Sequence, residues 1–354
     1  MKAIKNLLKK LSNAHGTSGY ESSIRQIMVE ELTPYVDDIQ VDTLGNLIAT
    51  KKGNVDSNLS VMIASHMDEI GLMVKHIDDK GFLKFVKIGG WFDQTLLNQR
   101  VIVHTQNGKI YGVIGSKPPH RMKEEEKKKP IKAEDMFIDV GCSSKEDAEK
   151  LKISIGSPVT LDREFVELAN DLVTCKSFDN RAGVVMLIEA MKRIKNLDNI
   201  SAVYAVGTVQ EEVGLKGAKT SAYKLNPTIA IAIDTTICGD HPGIKKEEAA
   251  IEINKGAAIT VLDASGRGII VSEKVLKWLK ETATKNNIDY QLDVTEGGTT
   301  DATAIHLTKV GIPTGVISVP TRYIHSPVEV LSLKDLDKSA ELIARAVESL
   351  HEYF

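Results

Sequence analysis

The sequence predicts an α/β fold, a mostly parallel sheet covered by helices, with a β-rich, barrel-like domain inserted into it. Three observations carry this. Apolar strand-like runs alternate with amphipathic helical segments at both ends of the chain, the middle reads as hairpins, and 354 residues are too many for one small core. In chain order, MKAIKNLLKKLSN and ESSIRQIMVEEL have helical patterning and lead into the strand-like QVDTLGNLIAT and the buried run VMIAS. From about residue 71, LMVKHID and FLKFVKIG alternate around Lys80-Gly81. RVIVHT and KIYGVIG then flank Asn107-Gly108, a strong hairpin signal. After about residue 167 the alternation of helix and strand returns. RAGVVMLIEAMKRI sets apolar residues 184, 187, 188, 191 and 194 on one helical face, and SAVYAVGTV, TIAIAID, SEKVLKWLKETATK, TGVISV and LKDLDKSAELIARAVESL follow. Such βα units imply parallel strands. The expected division is 1–70 and 167–354 for the main, catalytic domain and 71–166 for the insertion.

Composition narrows the function. With 42% hydrophobic and 26% charged residues and a net charge of −3, acids and bases are mixed, which speaks against a nucleic-acid partner or a polybasic membrane surface. No apolar run approaches the roughly 18–20 residues of a membrane span. Lys9 and Lys10 interrupt the N-terminal apolar stretch, so it reads as an amphipathic helix and not a signal peptide. Cys142, Cys175 and Cys238 form no CxxC pair, suggesting neither a disulfide framework nor a thiolate zinc site. A cytoplasmic protein is expected. The segment 117–130, KPPHRMKEEEKKKP, is charged from Arg121 to Lys129 at every position but Met122. A solvated loop is its plain reading, with gating or assembly as the alternative.

The chemistry gathers where apolar strands end. VMIAS runs into His66 and Asp68, SAVYAVGTV into Glu211 and Glu212, TIAIAI into Asp234, and TGVISVPTRYIHSP into His325. Open α/β sheets bind ligands at these carboxyl ends. Asp179, in SFDNRAG, stands where a helix begins. Imidazoles and carboxylates without thiolates suit zinc, cobalt or manganese. Singly, each residue has a plain explanation: Asp179 as an N-cap, His66 as a core histidine, Asp234 as a strand terminator. Five element ends all carrying ligand-type residues point instead to a metal site. Asp68 follows His66 by two residues, on the same side of a strand, placed to accept the second imidazole N–H. Adjacent glutamates at a strand end point in different directions, so one can ligate while its neighbour reaches a water. Gly214 would let the chain turn away sharply behind them.

The order of H-x-D, a lone Asp, the EE pair, a second lone Asp and a late His is similar to the co-catalytic two-metal exopeptidases. HGTSGYE, SHMDEIG, KSFDNRAG, TVQEEVGLKGA, EGGTTDATAIH and SVPTRYIHSPVEV, spread over residues 15–330, resemble the tetrahedral aminopeptidase family of the glutamyl-aminopeptidase type. The resemblance implies a dinuclear metallo-aminopeptidase that removes N-terminal residues from short peptides, using two divalent ions per subunit, zinc or cobalt. It implies that Asp179 bridges the ions, that His66 and Asp234 complete one site, and that Glu212 and His325 complete the other. Glu211 would be the general base and Asp68 a supporting residue behind the ligands. It also implies a homo-oligomer, a tetrahedral dodecamer built from dimers through the 71–166 insertion. Two positions depart from the family pattern: Thr299 stands where a third glycine is expected, and His241 where a small hydroxyl residue is. Both are expected in the substrate pocket. A glycoside hydrolase of endoglucanase type is the alternative, but it needs two carboxylates about 5–9.5 Å apart and leaves four of the ligand candidates idle. A non-catalytic peptide-binding module would not need Glu211 beside a full ligand set.

Overall fold

The computed structural model describes residues 1–53, 58–197 and 200–354. Its largest element is an eleven-stranded sheet whose centre is parallel. Ala202–Thr208, Ser60–His66, Ile229–Ile237 and Thr314–Arg322 lie side by side in that order. Their runs of Val, Ile and Ala are buried on both faces, as a helix-covered parallel strand requires. Side chains alternate between two cores: Val61 and Ile63 join one, Met62 and Ala64 the other. Helices Lys2–Asn13, Phe178–Ile194 and Leu333–Ser349 cover the first face, and Lys216–Leu225 covers the second.

Antiparallel strands flank this centre. The predicted strand QVDTLGNLIAT is two strands, Asp38–Val41 and Leu47–Lys51, folded back on each other. The Asp42 carboxylate accepts the backbone N–H groups of Leu44, Gly45 and Asn46, and that local turn competes successfully with a continuous strand. On the far side, Glu329–Ser332, Leu172–Cys175 and Val166–Glu167 extend the sheet, while Ala257–Leu262 and Tyr290–Val294 branch from Thr314–Arg322.

A second, smaller sheet closes into a six-stranded barrel. Gly71–Ile77, Leu83–Ile88, Phe137–Asp139, Gly108–Gly115, Arg100–Thr105 and Pro158–Leu161 are neighbours around the ring. Both predicted hairpins are present, and the barrel packs its own core of Leu72, Val74, Leu83, Phe85, Val101 and Ile138, among others. Two short closing strands, Phe137–Asp139 and Pro158–Leu161, carry too few residues to announce themselves in the sequence. The charged segment is a solvated excursion from this barrel. It holds a 3-10 turn, Pro119–Arg121, and one α-helical turn, Glu124–Lys127, tied by exposed pairs such as Lys127–Glu124 and Lys117–Glu126. Among the described residues no helix is long and apolar enough to cross a membrane.

Candidate active site

Register brings the strand ends level. Thr208 lies opposite His66, and Ala232 opposite Ala64, so Asp234 and the Glu211–Glu212 segment emerge at the same height as the His66 imidazole. Gln210 and Gly214 bracket the glutamates with positive φ angles of 56° and 120°, and the chain turns out of the sheet there. Asp179 arrives from the helix side. The backbone at Asp179 and Asn180 is non-helical, and the N-cap contact to the helix behind them is made by Asn180, so the Asp179 carboxylate stays free for the cluster. The Asn180 side chain anchors that step, donating to the Ile233 carbonyl and accepting from the Gly183 N–H.

All five ligand candidates meet. His66 Nε2 is 3.2 Å from Asp179 Oδ1, and His325 Nε2 is 3.3 Å from Asp179 Oδ2, so each oxygen of this carboxylate faces a different imidazole. Glu212 Oε1 stands 3.4 Å from His325 Nε2, and Asp234 Oδ1 stands 3.9 Å from His66 Nε2. Ligand atoms of His66, Glu211 and Asp234 lie within 4.8 Å of one another, as do those of His66, Asp179 and Glu212. Asp179 Oδ1 and Glu212 Oε1 are buried yet accept no well-formed hydrogen bond. An unsatisfied buried oxygen costs about 1–3 kcal/mol or more, and a cation between these groups would satisfy both. The donor set fits a divalent metal.

The electrostatics agree. Burial pushes Glu211 well above the usual carboxylate range, reinforced by Asp234, Asp301 and Glu212 against the pull of His66. Asp234 rises well above it too, through burial and then Asp179. Burial would lower His66, but Glu211, Asp179 and Asp68 raise it well above an ordinary histidine. His325 rises to about 12 against its burial, drawn by Asp179 and Glu212. Burial would likewise raise Asp179, but His325 and His66 hold it low. Carboxylates outnumber imidazoles in this buried space, and dications neutralise such an excess.

Asp68 does more than the sequence predicts. His66 Nδ1 is 3.1 Å from the Asp68 carbonyl oxygen and 3.5 Å from its carboxylate. The strand ends at His66, so same-side alternation no longer governs the residues beyond it. The Asp68 carboxylate also accepts the backbone N–H groups of Glu211 (3.0 Å) and Glu212 (3.2 Å) and the Ser18 hydroxyl (2.6 Å). It fixes the segment that carries both glutamates.

Two carboxylates escaped the sequence reading. Glu329 accepts the Asp179 N–H at 2.9 Å with one oxygen and the His325 N–H at 3.0 Å with the other, so it ties two ligand candidates to one strand. Asp301 accepts from Thr208 and is fully buried behind His66, and burial lifts it to about 6. The signal was a lone acid among apolar residues four positions after His325 in one case, and an acid closing the glycine–threonine stretch GGTTDA in the other. Remaining motif residues form a buried ion network: Glu69 pairs with Lys176 at 2.7 Å and Arg181 at 3.3 Å, and also accepts the Gly16 N–H. The barrel side closes in at Gly90, where a Cβ would come within 2.9 Å of His325 Nδ1. Site residues open into a cavity of about 850 Å³ that His241 and Thr299 also line.

A family model described as M42 glutamyl aminopeptidase matches residues 45–342. The solved aminopeptidase APDkam598 of Desulfurococcus kamchatkensis is 45% identical, with a TM-score of 0.94 over 98% of this chain and 95% of that one. The TET1 peptidase of Pyrococcus horikoshii, described as assembling into a tetrahedron or a large octahedral shell, is 37% identical, with a TM-score of 0.86 over 97% and 99%. A Thermotoga maritima protein described as an endoglucanase is 32% identical, with a TM-score of 0.77 over 97% and 96%.

Proposed function

The chain belongs to the M42 glutamyl aminopeptidase family, and from that premise we propose how its strand-end cluster cleaves the first residue from a short peptide. It is a peptide hydrolase, an aminopeptidase. Two divalent cations, zinc or cobalt, would be held by this chain. Asp179 would serve both cations, His66 and Asp234 would hold one, and Glu212 and His325 would hold the other. The single observation that supports this allocation is Asp179, whose oxygens face different imidazoles at 3.2 and 3.3 Å. When bound, the cations polarise the scissile carbonyl and acidify the attacking water.

This chain's own residues do the rest. The Asp68 carbonyl can only accept, so with a cation in place His66 would keep its proton on Nδ1 and present an unprotonated Nε2 to the cluster. Glu211 takes the proton from the attacking water at a carboxylate oxygen and delivers it to the leaving amine nitrogen. Asp68 holds the Glu211–Glu212 backbone so that the two side chains serve different atoms. Glu329 positions Asp179 and His325.

The glycoside-hydrolase reading has a relative's name in its favour, but it gives no work to the two imidazoles that face Asp179. A binding module has no use for Glu211. We propose a dodecamer built from dimers, with the 71–166 insertion at the dimer contact, in keeping with the tetrahedron described for the Pyrococcus horikoshii relative. Light scattering should then give a mass near twelve times 38.7 kDa. The cytoplasm is the proposed compartment, in keeping with three cysteines that are all unpaired. Chelator-sensitive release of a chromophore from aminoacyl substrates, with N-acetylated substrates resistant, tests the reading. Equal cleavage of acetylated peptides, or of a glucan, contradicts it.

A further inference from the structure

The active-site cavity runs on, away from the imidazoles, to a second pair of carboxylates. Strand register explains their position. Ile229–Ile237, Thr314–Arg322, Ala257–Leu262 and Tyr290–Val294 lie edge to edge. Asp234 is opposite Ser318, and Thr260 is opposite Asp293. With Thr236 they share one sheet face and line the cavity. Thr236 Oγ1 donates to Asp293 Oδ2 at 2.6 Å, which joins the metal-bearing strand to the far wall. Asp263, just past the end of Ala257–Leu262, lines the same wall.

Both acids are buried, Asp263 at 3% exposure and Asp293 at 7%. Asp263 Oδ1 accepts the Ile269 N–H, and a Cβ at Gly268 would collide with that oxygen, so its conformer is held. Asp263 Oδ2 is buried and accepts no hydrogen bond. Neither carboxylate belongs to an ion pair among the described residues, and burial raises both above the usual range, with His306 the one basic group that offsets it for Asp263. Apolar surface from Ile237 and Ile244 lies along the same cavity.

We propose that this wall receives the side chain of the substrate's first residue and selects lysine or arginine, whose cation pairs with Asp293 and is drawn by the buried, unpaired Asp263 beside it. The inference rests on the aminopeptidase reading. An aliphatic stem would run along Ile237 and Ile244 with its charged head at the acids. A glutamyl side chain would bring a third carboxylate into buried space that already holds two. A leucyl side chain would desolvate Asp293 further and leave both acids without a counter-charge. Buried polar groups left without their partner are what makes a pocket reject the wrong residue.

The test is kcat/KM on the p-nitroanilides of lysine, arginine, leucine and glutamate, for the metal-loaded wild type and for Asp293→Asn and Asp263→Asn. Lysine and arginine should exceed leucine by about 10–100-fold, with glutamate the poorest. In each variant the lysine-to-leucine ratio should fall at least about tenfold. Because a ratio is read, partial loss of folded protein does not affect the outcome. The wild-type panel alone decides the matter if neither variant folds. Leucine or glutamate preferred by the wild type, or an equal loss on every substrate in the variants, overturns the inference and leaves the aminopeptidase standing. No turnover of any of the four overturns the aminopeptidase reading and this inference with it.

Discussion

Between residues 71 and 166 the buried polar side chains, among the described residues, are Ser157 and Thr160. At the carboxyl ends of the parallel strands His66, Asp68, Glu211, Asp234 and Asp301 are all buried within one cluster. The barrel is built by the ordinary rule that a core excludes charge, whereas the sheet breaks that rule at one edge and nowhere along its apolar middle. Burying ionisable groups is costly, and a protein keeps them where they do chemistry. The contrast teaches that the barrel can lose stability without touching the chemistry, whereas the charged edge ties the chemistry to the stability of its own cluster.

The largest effect should come from the charged edge. Removing divalent metal by chelation should abolish turnover and lower the melting temperature, because the carboxylates around His66 and His325 lose their compensation. Adding metal back should restore both, which calorimetry with a parallel assay would check. A chelated enzyme that keeps its rate removes the chemical side of the contrast. Next in size is a cavity in the barrel. Ile138→Ala, at a fully buried position, should cost about 2–5 kcal/mol in urea unfolding while the metal content of the folded protein stays constant. Metal loss in that variant would show that the two regions are not independent.

A smaller effect tests the residue that links two ligands. Glu329→Gln can accept from only one of the Asp179 and His325 N–H groups, so metal affinity or activity should fall about 10–100-fold. Titration with metal under steady-state assay separates the two, and an unchanged affinity and rate would make Glu329 mere filling. The smallest effect belongs to the seam between the regions. His15 Nδ1 and His104 Nε2 both lie 2.8 Å from the Thr160 hydroxyl. Burial, with help from Lys176, lowers His15 to about 3. Its folded pKa is below its unfolded value of about 6.5, so the folded state binds fewer protons and stability is lost as pH falls from about 6.5 towards 3. His15→Asn should flatten that part of the melting-temperature profile, and an unaltered slope would place the acid sensitivity elsewhere.

Much of the architecture was legible because it rests on short-range pattern. Alternation at Leu72 and Val74, the Asn107-Gly108 turn and the 3.6-residue spacing of Val184, Leu187 and Ile188 each follow from local physics. The ligand candidates were legible because a charge after a strand such as VMIAS is improbable without a use. The hold of Asp68 on the Glu211–Glu212 backbone was not legible, because the strand ends at His66 and where a strand ends is a tertiary outcome. Glu329 and Asp301 were missed because they act through the backbone of Asp179 and His325 and through the Thr208 hydroxyl, partners far away in sequence. The orphan oxygen of Asp263 has no sequence signal, since it exists only through what fails to reach it.

The central claim is that the adjacent glutamates divide the labour, one holding a cation and the other moving a proton. Both lie at contact distance from the same imidazole cluster, so position alone leaves Glu211 able to ligate as well. Elemental analysis of metal content beside kcat, for Glu211→Gln and Glu212→Gln, separates the two roles. The account predicts that Glu211→Gln retains two metals per subunit while kcat falls about 10²–10⁴-fold, and that Glu212→Gln loses one metal, with partial recovery in excess metal. Glu211→Gln stripped of a metal while Glu212→Gln keeps both would reverse the assignment, and no change in either variant would contradict the mechanism.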